Sequence, residues 1–401
     1  MNSAKIPSNA IAATVAFYLA FILLGLTTSV TGPTLPTLAS HTSSRIDQIS
    51  FIFITASLGY LIGTWIGGRV YDRLPGNRII PFGLLIMALA SAYIPSATQL
   101  TILALTVFVL GFSQGVIDVG GNTLLMWIHG SSVGPYMNGL HFFFGVGALL
   151  SPILVAQILN YTGEILWIYR LFGVLALPLA IWTWFMQSPV RQQRTSTEPI
   201  RKINFIVIVF IAMLFFLYVG AEVGYGNWIF TYTTALQLGS PASAAYLTSA
   251  FWGFFTLGRL AGIPISTRVG PLKILFVDVI GCLLSLGIII AGSTSTTALW
   301  LGTVLLGLCM ASIFATLMSF AESKLHISGE VTGLFLVGAG IGGMFLPWFI
   351  GQTFASVGPQ VMPVVIFVDL LINLILLAVL ASRFTELNKA EVNLASDETV
   401  P

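Results

Sequence analysis

The chain has 401 residues, of which 56% are hydrophobic and only 7% are charged. Soluble domains carry roughly 25% charged residues, so this composition excludes an ordinary soluble protein and places most of the surface in lipid. The net charge of +2 is too small to indicate a nucleic acid or an acidic protein as partner.

Successive apolar runs of about 20 residues are each long enough to cross a bilayer as a helix. In chain order, the predicted helices are 10–32, 46–68, 78–95, 100–127, 134–158, 165–187, 203–236, 243–267, 272–293, 297–322, 329–356 and 360–383. The sequence therefore predicts an all-α membrane protein with twelve transmembrane helices.

A long polar stretch, 188–202, divides the predicted helices into two groups of six. We therefore expect two pseudo-symmetric six-helix bundles, 1–190 and 203–385, joined by a cytoplasmic linker, 191–202, and followed by a cytoplasmic tail, 386–401. The two halves repeat, since a shift of 195 residues superimposes Gly25 on Gly220, Gly63 on Gly258, Gly67 on Gly262, Arg73 on Arg268, Gly147 on Gly342, Pro152 on Pro347 and Gln157 on Gln352. Parallel repeats of this kind are a known transporter architecture.

The distribution of basic residues predicts the orientation. If both termini are cytoplasmic, 13 of the 16 Lys and Arg residues lie on the cytoplasmic side and only Arg45 lies fully outside. This arrangement satisfies the positive-inside rule. We expect a multi-pass protein of the plasma (inner) membrane, and a monomer.

The fourth predicted helix carries Gln114, Asp118 and Asn122 at spacing i, i+4, i+8, which places them on one face. A carboxylate between two amides offers donors and acceptors in a row, as a polyhydroxylated substrate requires. The alternative is a polar staple between helices, a common use of Asn and Gln in membranes.

His141 opens the fifth predicted helix. Its ordinary pKa near 6.5 suits a proton-coupled step, although a neutral histidine that is hydrogen-bonded inside the bundle is an equal alternative. Arg259, near the cytoplasmic end of the eighth helix, is interpreted as a snorkelling side chain.

The seventh predicted helix, 203–236, places Glu222 in an apolar run. A carboxylate at that depth costs several kcal/mol and usually faces a cavity. A straight helix of that length spans about 50 Å, against a hydrocarbon core of about 30 Å, so it must begin in the cytosol, tilt or break. Three glycines favour a break beside Glu222. They are Gly220, Gly224 and Gly226.

Asn227 and Trp228 follow Glu222 and offer an amide and a broad aromatic face on which a sugar can stack. The alternative for Trp228 is an aromatic belt at the membrane interface. Under the repeat shift Glu222 meets Thr27, so the charge has no counterpart in the first half. Asp118 and His141 have none in the second half either. This asymmetry indicates function rather than scaffold.

The loop between the second and third helices is interpreted as a cytoplasmic gate, in which an acidic helix cap is flanked by arginines that pair across helices. Its residues are Gly68, Asp72, Arg73, Gly76 and Arg78, with Arg268 in the second copy.

Together, this loop, the 6+6 repeat and the basic linker resemble the major facilitator superfamily over essentially the whole chain. The family's signature, Gly-x-x-x-Asp-Arg-x-Gly-x-Arg, is matched with one extra residue before Gly76. Segments 111–122, 138–152 and 222–228 are similar to the sugar branch that contains the fucose–proton symporter and the sodium-dependent glucose transporter-like proteins. This resemblance implies a hexose-like substrate and cation coupling, with Asp118 matching the acidic residue of helix four.

We therefore expect a secondary transporter that works by alternating access. The predicted substrate contacts are Gln114, Asp118, Asn122, His141, Asn227 and Trp228, and Glu222 with Asp118 or His141 is expected to bind H+ or Na+. No cofactor is expected, and none of the five lysines follows a glycine, which excludes a phosphate loop for ATP. No enzymatic activity is indicated. The alternatives are a proton-coupled exporter of lipophilic compounds and a non-transporting sugar receptor on the same fold.

Overall fold

The computed structural model describes residues 8–188, 205–324 and 329–397, which form helices and turns without a strand. The first half contains α1 Ser8–Ser29, α2 Thr31–His41, α3 Ile46–Ile49, α4 Phe51–Tyr71, α5 Gly76–Tyr93, α6 Leu100–His129, α7 Gly134–Thr162 and α8 Trp167–Trp184. The second half contains α9 Phe205–Ala235, α10 Pro241–Ser266, α11 Pro271–Ala291, α12 Thr296–Met310, α13 Ile313–Lys324, α14 Gly329–Val357 and α15 Val361–Asp397.

These helices form twelve membrane segments, because α1 continues into α2, α3 into α4 and α12 into α13, whereas each other helix is one segment. Eleven spans are long and apolar enough to cross a membrane. Among the described segments the exception is α10, whose sequence is rich in small and polar residues. The predicted twelve-helix, two-bundle fold is confirmed. The predicted linker, 191–202, lies outside the described residues, and α15 continues as a helix into the predicted tail.

The sequence repeat is also a repeat of helix packing. A Cβ atom on Gly147 of α7 would collide with the carbonyl oxygen of Ile22 on α1. At the matching place in the second half, a Cβ atom on Gly342 of α14 would collide with the carbonyl oxygen of Phe216 on α9. The repeated glycines therefore allow the same pair of helices, α1 with α7 and α9 with α14, to touch through their backbones.

A second pair of glycines has the same use. Gly63 brings α4 against the backbone of Phe112 on α6. At its counterpart on α10, a Cβ added to Gly258 would lie 2.8 Å from the Leu308 carbonyl oxygen on α12. The constant offset in the sequence therefore corresponds to equivalent helix pairs in the two halves. These pairs are α1 with α7 and α4 with α6 in the first half, and α9 with α14 and α10 with α12 in the second.

The expected break beside Glu222 is wrong. α9 is one continuous helix of 31 residues, about 46 Å at 1.5 Å per residue. Its glycines serve close packing instead: a Cβ on Gly220 would lie 3.2 Å from the Gly342 carbonyl oxygen, and one on Gly226 would lie 2.7 Å from the Trp252 ring. The helical segments are interrupted elsewhere, at Val30 and at 311–312.

The hydrogen bonds that join the two bundles lie at one end of the helices. We call the side that holds the start of α1 the terminal side and the opposite side the distal side. On the distal side, Gln157 Nε2 donates to the Tyr246 hydroxyl at 2.8 Å. Gln352 Nε2 donates to the Asp47 carbonyl at 2.7 Å and to Ser50 Oγ at 3.0 Å. Within the described residues, these are the hydrogen bonds that join the bundles, and the two glutamines are related by the repeat.

Removing both glutamine side chains, in a Gln157→Ala/Gln352→Ala variant, is expected to open the distal side. Each such hydrogen bond contributes about 0.5–1.5 kcal/mol, so their joint loss shifts the population of distal-open molecules by about tenfold. The measurement is the distance between spin labels on the exposed residues Tyr161 and Thr297, after both native cysteines are replaced by alanine.

The matched control for this variant is Gln99→Ala, which removes an exposed distal glutamine that makes no side-chain hydrogen bond to the described residues. The control is expected to keep the parental distance distribution. An unchanged distribution in the double variant would show that the glutamines do not hold the distal side closed.

Candidate functional site

A polar cluster in the first bundle is centred on Asp118 of α6. The Tyr60 hydroxyl on α4 donates to Asp118 Oδ2, and Asn122 Nδ2 donates to Asp118 Oδ1 at 3.0 Å. Asp118, Asn122 and Tyr60 are each half-buried. Sequence reasoning missed Tyr60; the available signal was its place between Gly59 and Gly63, on the helix face that packs against α6.

Gln114 lies one turn before Asp118 and is also half-buried. Its Nε2 donates to Thr27 Oγ1 on α1 at 3.0 Å. The structure thus places Gln114, Asp118 and Asn122 on one face of α6, as the spacing predicts. The cluster links α1, α4 and α6 by hydrogen bonds. The same side chains also offer carboxylate, hydroxyl and amide groups to a substrate.

His141 lies on α7, one turn before the tight contact of that helix with α10. Its imidazole is exposed and stands edge-on to the Phe21 ring of α1, with ring centroids 5.9 Å apart. A histidine bonded inside the bundle would not be exposed. In this conformation the His141 side chain is therefore not enclosed by the helices around it.

Glu222 is half-buried on α9, in the second bundle. The Tyr218 hydroxyl, one turn earlier, lies beside it and donates to the Met310 carbonyl at 2.9 Å, at the end of α12. The guanidinium Cζ of Arg259 on α10 lies 4.4 Å from the centroid of the Phe255 ring, and the side chain is half-buried. The interpretation of Arg259 as a snorkelling residue stays a prediction. Tyr218 was missed as well.

Trp228 is fully buried. Its indole Nε1 donates to the Pro347 carbonyl at 2.9 Å, and its ring stacks on Phe354 with centroids 5.1 Å apart. The aromatic-belt interpretation is therefore wrong, since the ring does not reach lipid. The indole is enclosed by protein in this conformation, so contact of Trp228 with a substrate stays a prediction for a different conformation.

Asn227 lies where α9 meets α2. A Cβ on Gly32 would be 2.9 Å from the Asn227 Cα, and Asn227 Nδ2 donates to the Val223 carbonyl at 2.9 Å. The residue is half-buried and sits at a contact between the two bundles. Its predicted role in binding substrate stays a prediction.

The predicted gate motif lies on the terminal side, in the turn from α4 to α5. Asp72 ends α4, with its backbone N–H donating to the Gly68 carbonyl at 3.3 Å. Gly76 is buried, and its N–H donates to Ser188 Oγ at 2.9 Å. Three arginines of the motif, namely Arg73, Arg78 and Arg268, are exposed, and none forms an ion pair with a described residue. Among the residues that the structure describes, pairing of these arginines across helices is not seen, and the gate role of the motif stays a prediction.

The two repeated six-segment bundles each hold a carboxylate, Asp118 in the first and Glu222 in the second. Hydrogen bonds between the bundles close the distal side. This architecture is typical of secondary transporters, which move solutes rather than transform them. The Major Facilitator Superfamily profile matches residues 17–347, and the chain belongs to that superfamily.

The chain is similar to named transporters. It is 30% identical over 374 residues to sodium-dependent glucose transporter 1A of Mus musculus, covering 83% of this chain and 88% of that protein. It is 31% identical over 353 residues to sodium-dependent glucose transporter 1 of Xenopus laevis, covering 80% and 72%. The crystal structure of the nucleoside transporter NupG superimposes with a TM-score of 0.73 at 15% identity, covering 94% of this chain and 99% of that one, which supports the fold.

Proposed function

We propose that the protein carries a hexose-type sugar across the membrane by alternating access, coupled to H+ or Na+. The observation that carries this proposal is the cluster around Asp118, where a half-buried carboxylate lies beside two amides and a phenol. A sugar presents hydroxyl groups that donate to the carboxylate and accept from Gln114 and Asn122. The similar mouse protein is named a sodium-dependent glucose transporter, which agrees with this substrate class.

Glu222 supplies the coupling charge in this proposal. Its carboxylate changes charge when it binds H+ or Na+, and that change biases which side of the transporter is open. Asp118 or His141 in the other bundle binds the cation together with Glu222. The bound cation is the only accessory group that the cycle needs.

With both termini in the cytoplasm, as the basic residues favour, the terminal side is the cytoplasmic side. Closed distal contacts then make this conformation inward-open, ready to release a solute into the cell. We place the protein in the plasma (inner) membrane, as a monomer.

The test is uptake of labelled hexoses into proteoliposomes, with Na+ and pH gradients imposed separately. The expected result is uphill accumulation of a hexose that follows one of the two gradients. Export of lipophilic compounds driven by a pH gradient, or binding of sugar without flux, would replace this proposal by the antiporter or the receptor.

An Asp118→Asn variant is expected to bind sugar at least about tenfold more weakly, because a hydrogen bond to a charged group contributes about 1.5–3 kcal/mol and the amide keeps the shape but not the charge. The measurement is equilibrium binding of the hexose to purified protein.

Asp278→Asn is the matched control for Asp118→Asn. Asp278 is also an acidic residue in a membrane helix, where it accepts from Ser312 Oγ in the second bundle. Sugar affinity is expected to stay unchanged in this control. An unchanged affinity in Asp118→Asn itself, with the fold retained, would remove Asp118 from the site.

A further inference from the structure

Trp252 lies on α10 where that helix packs against both α7 and α9. A Cβ on the neighbouring Gly253 would lie 2.9 Å from Leu149 Cδ1 on α7. A Cβ on Gly226 of α9 would lie 2.7 Å from Cζ2 and 3.2 Å from Cε2 of the Trp252 ring. Only 6% of the Trp252 surface is exposed. The indole is therefore enclosed at the place where these three helices meet.

The indole Nε1 of Trp252 is buried and has no hydrogen-bond partner among the described residues. Trp228 differs in this respect, because its buried Nε1 donates to the Pro347 carbonyl at 2.9 Å. A buried donor without an acceptor destabilises a protein, and such donors are rare in folded chains. The Trp228 indole therefore has a structural hydrogen bond, whereas the Trp252 indole has a donor that the fold itself does not use.

A second polar group without a partner lies on the same face of α10. The Oγ of Ser249, three residues before Trp252, is also buried and makes no hydrogen bond within the described part of the chain. Hydroxyl groups in helices commonly donate to the carbonyl four residues earlier. Thr248 and Thr256 on α10 do so, at 3.0 and 2.8 Å. The unused groups are thus confined to one face of this helix.

A series of contacts places Trp252 at about the depth of the polar cluster in the first bundle. In that cluster, Gln114 donates to Thr27 Oγ1 on α1 at 3.0 Å. The carbonyl of the residue before Thr27 accepts from Ser151 Oγ on α7 at 2.7 Å. Two residues earlier on α7, Leu149 meets α10 beside Trp252. Trp252 therefore lies level with Gln114, across the junction of the two bundles.

We propose that Trp252 is a substrate contact of the second bundle, and that its indole N–H donates to a hydroxyl oxygen of the sugar. Ser249 lies beside it on the same face and offers a hydroxyl to the same ligand. The inference rests on the proposed function. It adds to the site a residue that the sequence analysis did not single out, and it assigns different uses to the two indoles.

The helices that cover Trp252 are the ones that separate when the distal side opens. Gln157 of α7 and Tyr246 of α10 are joined by a distal hydrogen bond. Trp252 follows Tyr246 by six residues, which is about 9 Å along the helix toward the terminal side. Breaking the distal contact therefore uncovers the indole N–H to a sugar that enters from the distal side.

The test removes the N–H group and keeps the shape of the ring. Replacement of Trp252 by 3-benzothienylalanine retains two fused rings but has sulfur in place of the N–H. The dissociation constant of D-glucose from the purified full-length protein is expected to rise about three- to tenfold, because one neutral hydrogen bond is lost. The thermal unfolding midpoint of the unliganded protein is expected to stay level or rise, because the fold loses no hydrogen bond.

Two other tryptophans serve as comparisons. The same replacement at Trp228 removes the bond to the Pro347 carbonyl, so it is expected to lower the unfolding midpoint by about 2–4 °C. At Trp182, whose side chain is exposed on α8, it is expected to change neither the midpoint nor the affinity for glucose.

Monodeoxy forms of glucose show whether the loss of affinity comes from a hydrogen bond or from packing. The wild type is expected to bind one of these sugars more weakly than glucose because its indole has lost an acceptor. The protein with the benzothiophene ring at position 252 is expected to bind that sugar and glucose equally well. Trp252→Phe also lacks the N–H, and the folded fraction of this variant is expected to show the same loss of discrimination.

Three results would overturn the role of Trp252. One is an affinity for glucose that does not change when the N–H is removed. Another is an unfolding midpoint that falls as it does at Trp228, which would show that the N–H is already bonded in the unliganded protein. The third is binding that weakens equally for glucose and all its deoxy forms. Failure of the proposed function is distinct, because there the wild type itself binds neither glucose nor another hexose.

Discussion

A Glu222→Gln variant is expected to lose uphill accumulation of sugar while it still exchanges labelled for unlabelled sugar across the membrane. Glutamine keeps the size of the side chain but cannot bind a cation by charge. Two unit charges 4 Å apart interact by about 4 kcal/mol at an effective dielectric constant of about 20. The loss of that interaction lowers gradient-driven accumulation by at least about a hundredfold.

The measurement for Glu222→Gln is the ratio of gradient-driven uptake to exchange in proteoliposomes. The matched control is Glu164→Gln, since Glu164 is an exposed carboxylate after α7 that accepts from Trp167 Nε1 at 3.1 Å. The control is expected to keep both activities. Gradient-driven uptake that survives in Glu222→Gln would remove this residue from coupling.

The fold could be predicted from the sequence because its two determinants are local. Apolar runs of membrane length specify the segments, and the shift of 195 residues specifies that the halves are alike. The structure gives the shift its physical basis: Gly147 and Gly342 stand at equivalent helix contacts where a side chain does not fit. Only glycine fits at these positions, because the two backbones are too close to leave room for a side chain. Both halves therefore have glycine there.

The same glycines explain why the break in α9 was mispredicted. A glycine that bends a helix and a glycine that admits a neighbouring helix are identical in the sequence. Gly220 belongs to the second kind, since the backbone of Gly342 lies against it. Only the position of the partner helix distinguishes the two uses, and that position is not encoded near Gly220.

The site could be predicted only in part, because sequence periodicity places residues on one helix face but does not show which helix lies opposite. Spacing alone brings Gln114, Asp118 and Asn122 together on α6. Tyr60 comes from another helix, α4, and its relevance depends on helix packing.

Replacing Gly342 by alanine is expected to destabilise the second bundle by about 2–3 kcal/mol. The added Cβ would lie against the carbonyl oxygen of Phe216 and 2.9 Å from its Cα, so it meets backbone rather than a side chain that can rotate away. α14 or α9 must shift as a whole, and overpacking of this kind costs about 1–3 kcal/mol or more. The measurement is the thermal unfolding midpoint of the purified protein.

Gly333→Ala, on the same helix, tests whether the loss of stability comes from the contact or from the change of residue. Nothing lies within 4 Å of a Cβ added at Gly333. Alanine favours a helix by about 1 kcal/mol over glycine, so the unfolding midpoint of this control is expected to stay level or rise. Gly147→Ala, at the repeat-related contact with Ile22, is expected to lower the midpoint as Gly342→Ala does. If Gly342→Ala were as stable as Gly333→Ala, backbone contact would not be what these repeated glycines protect.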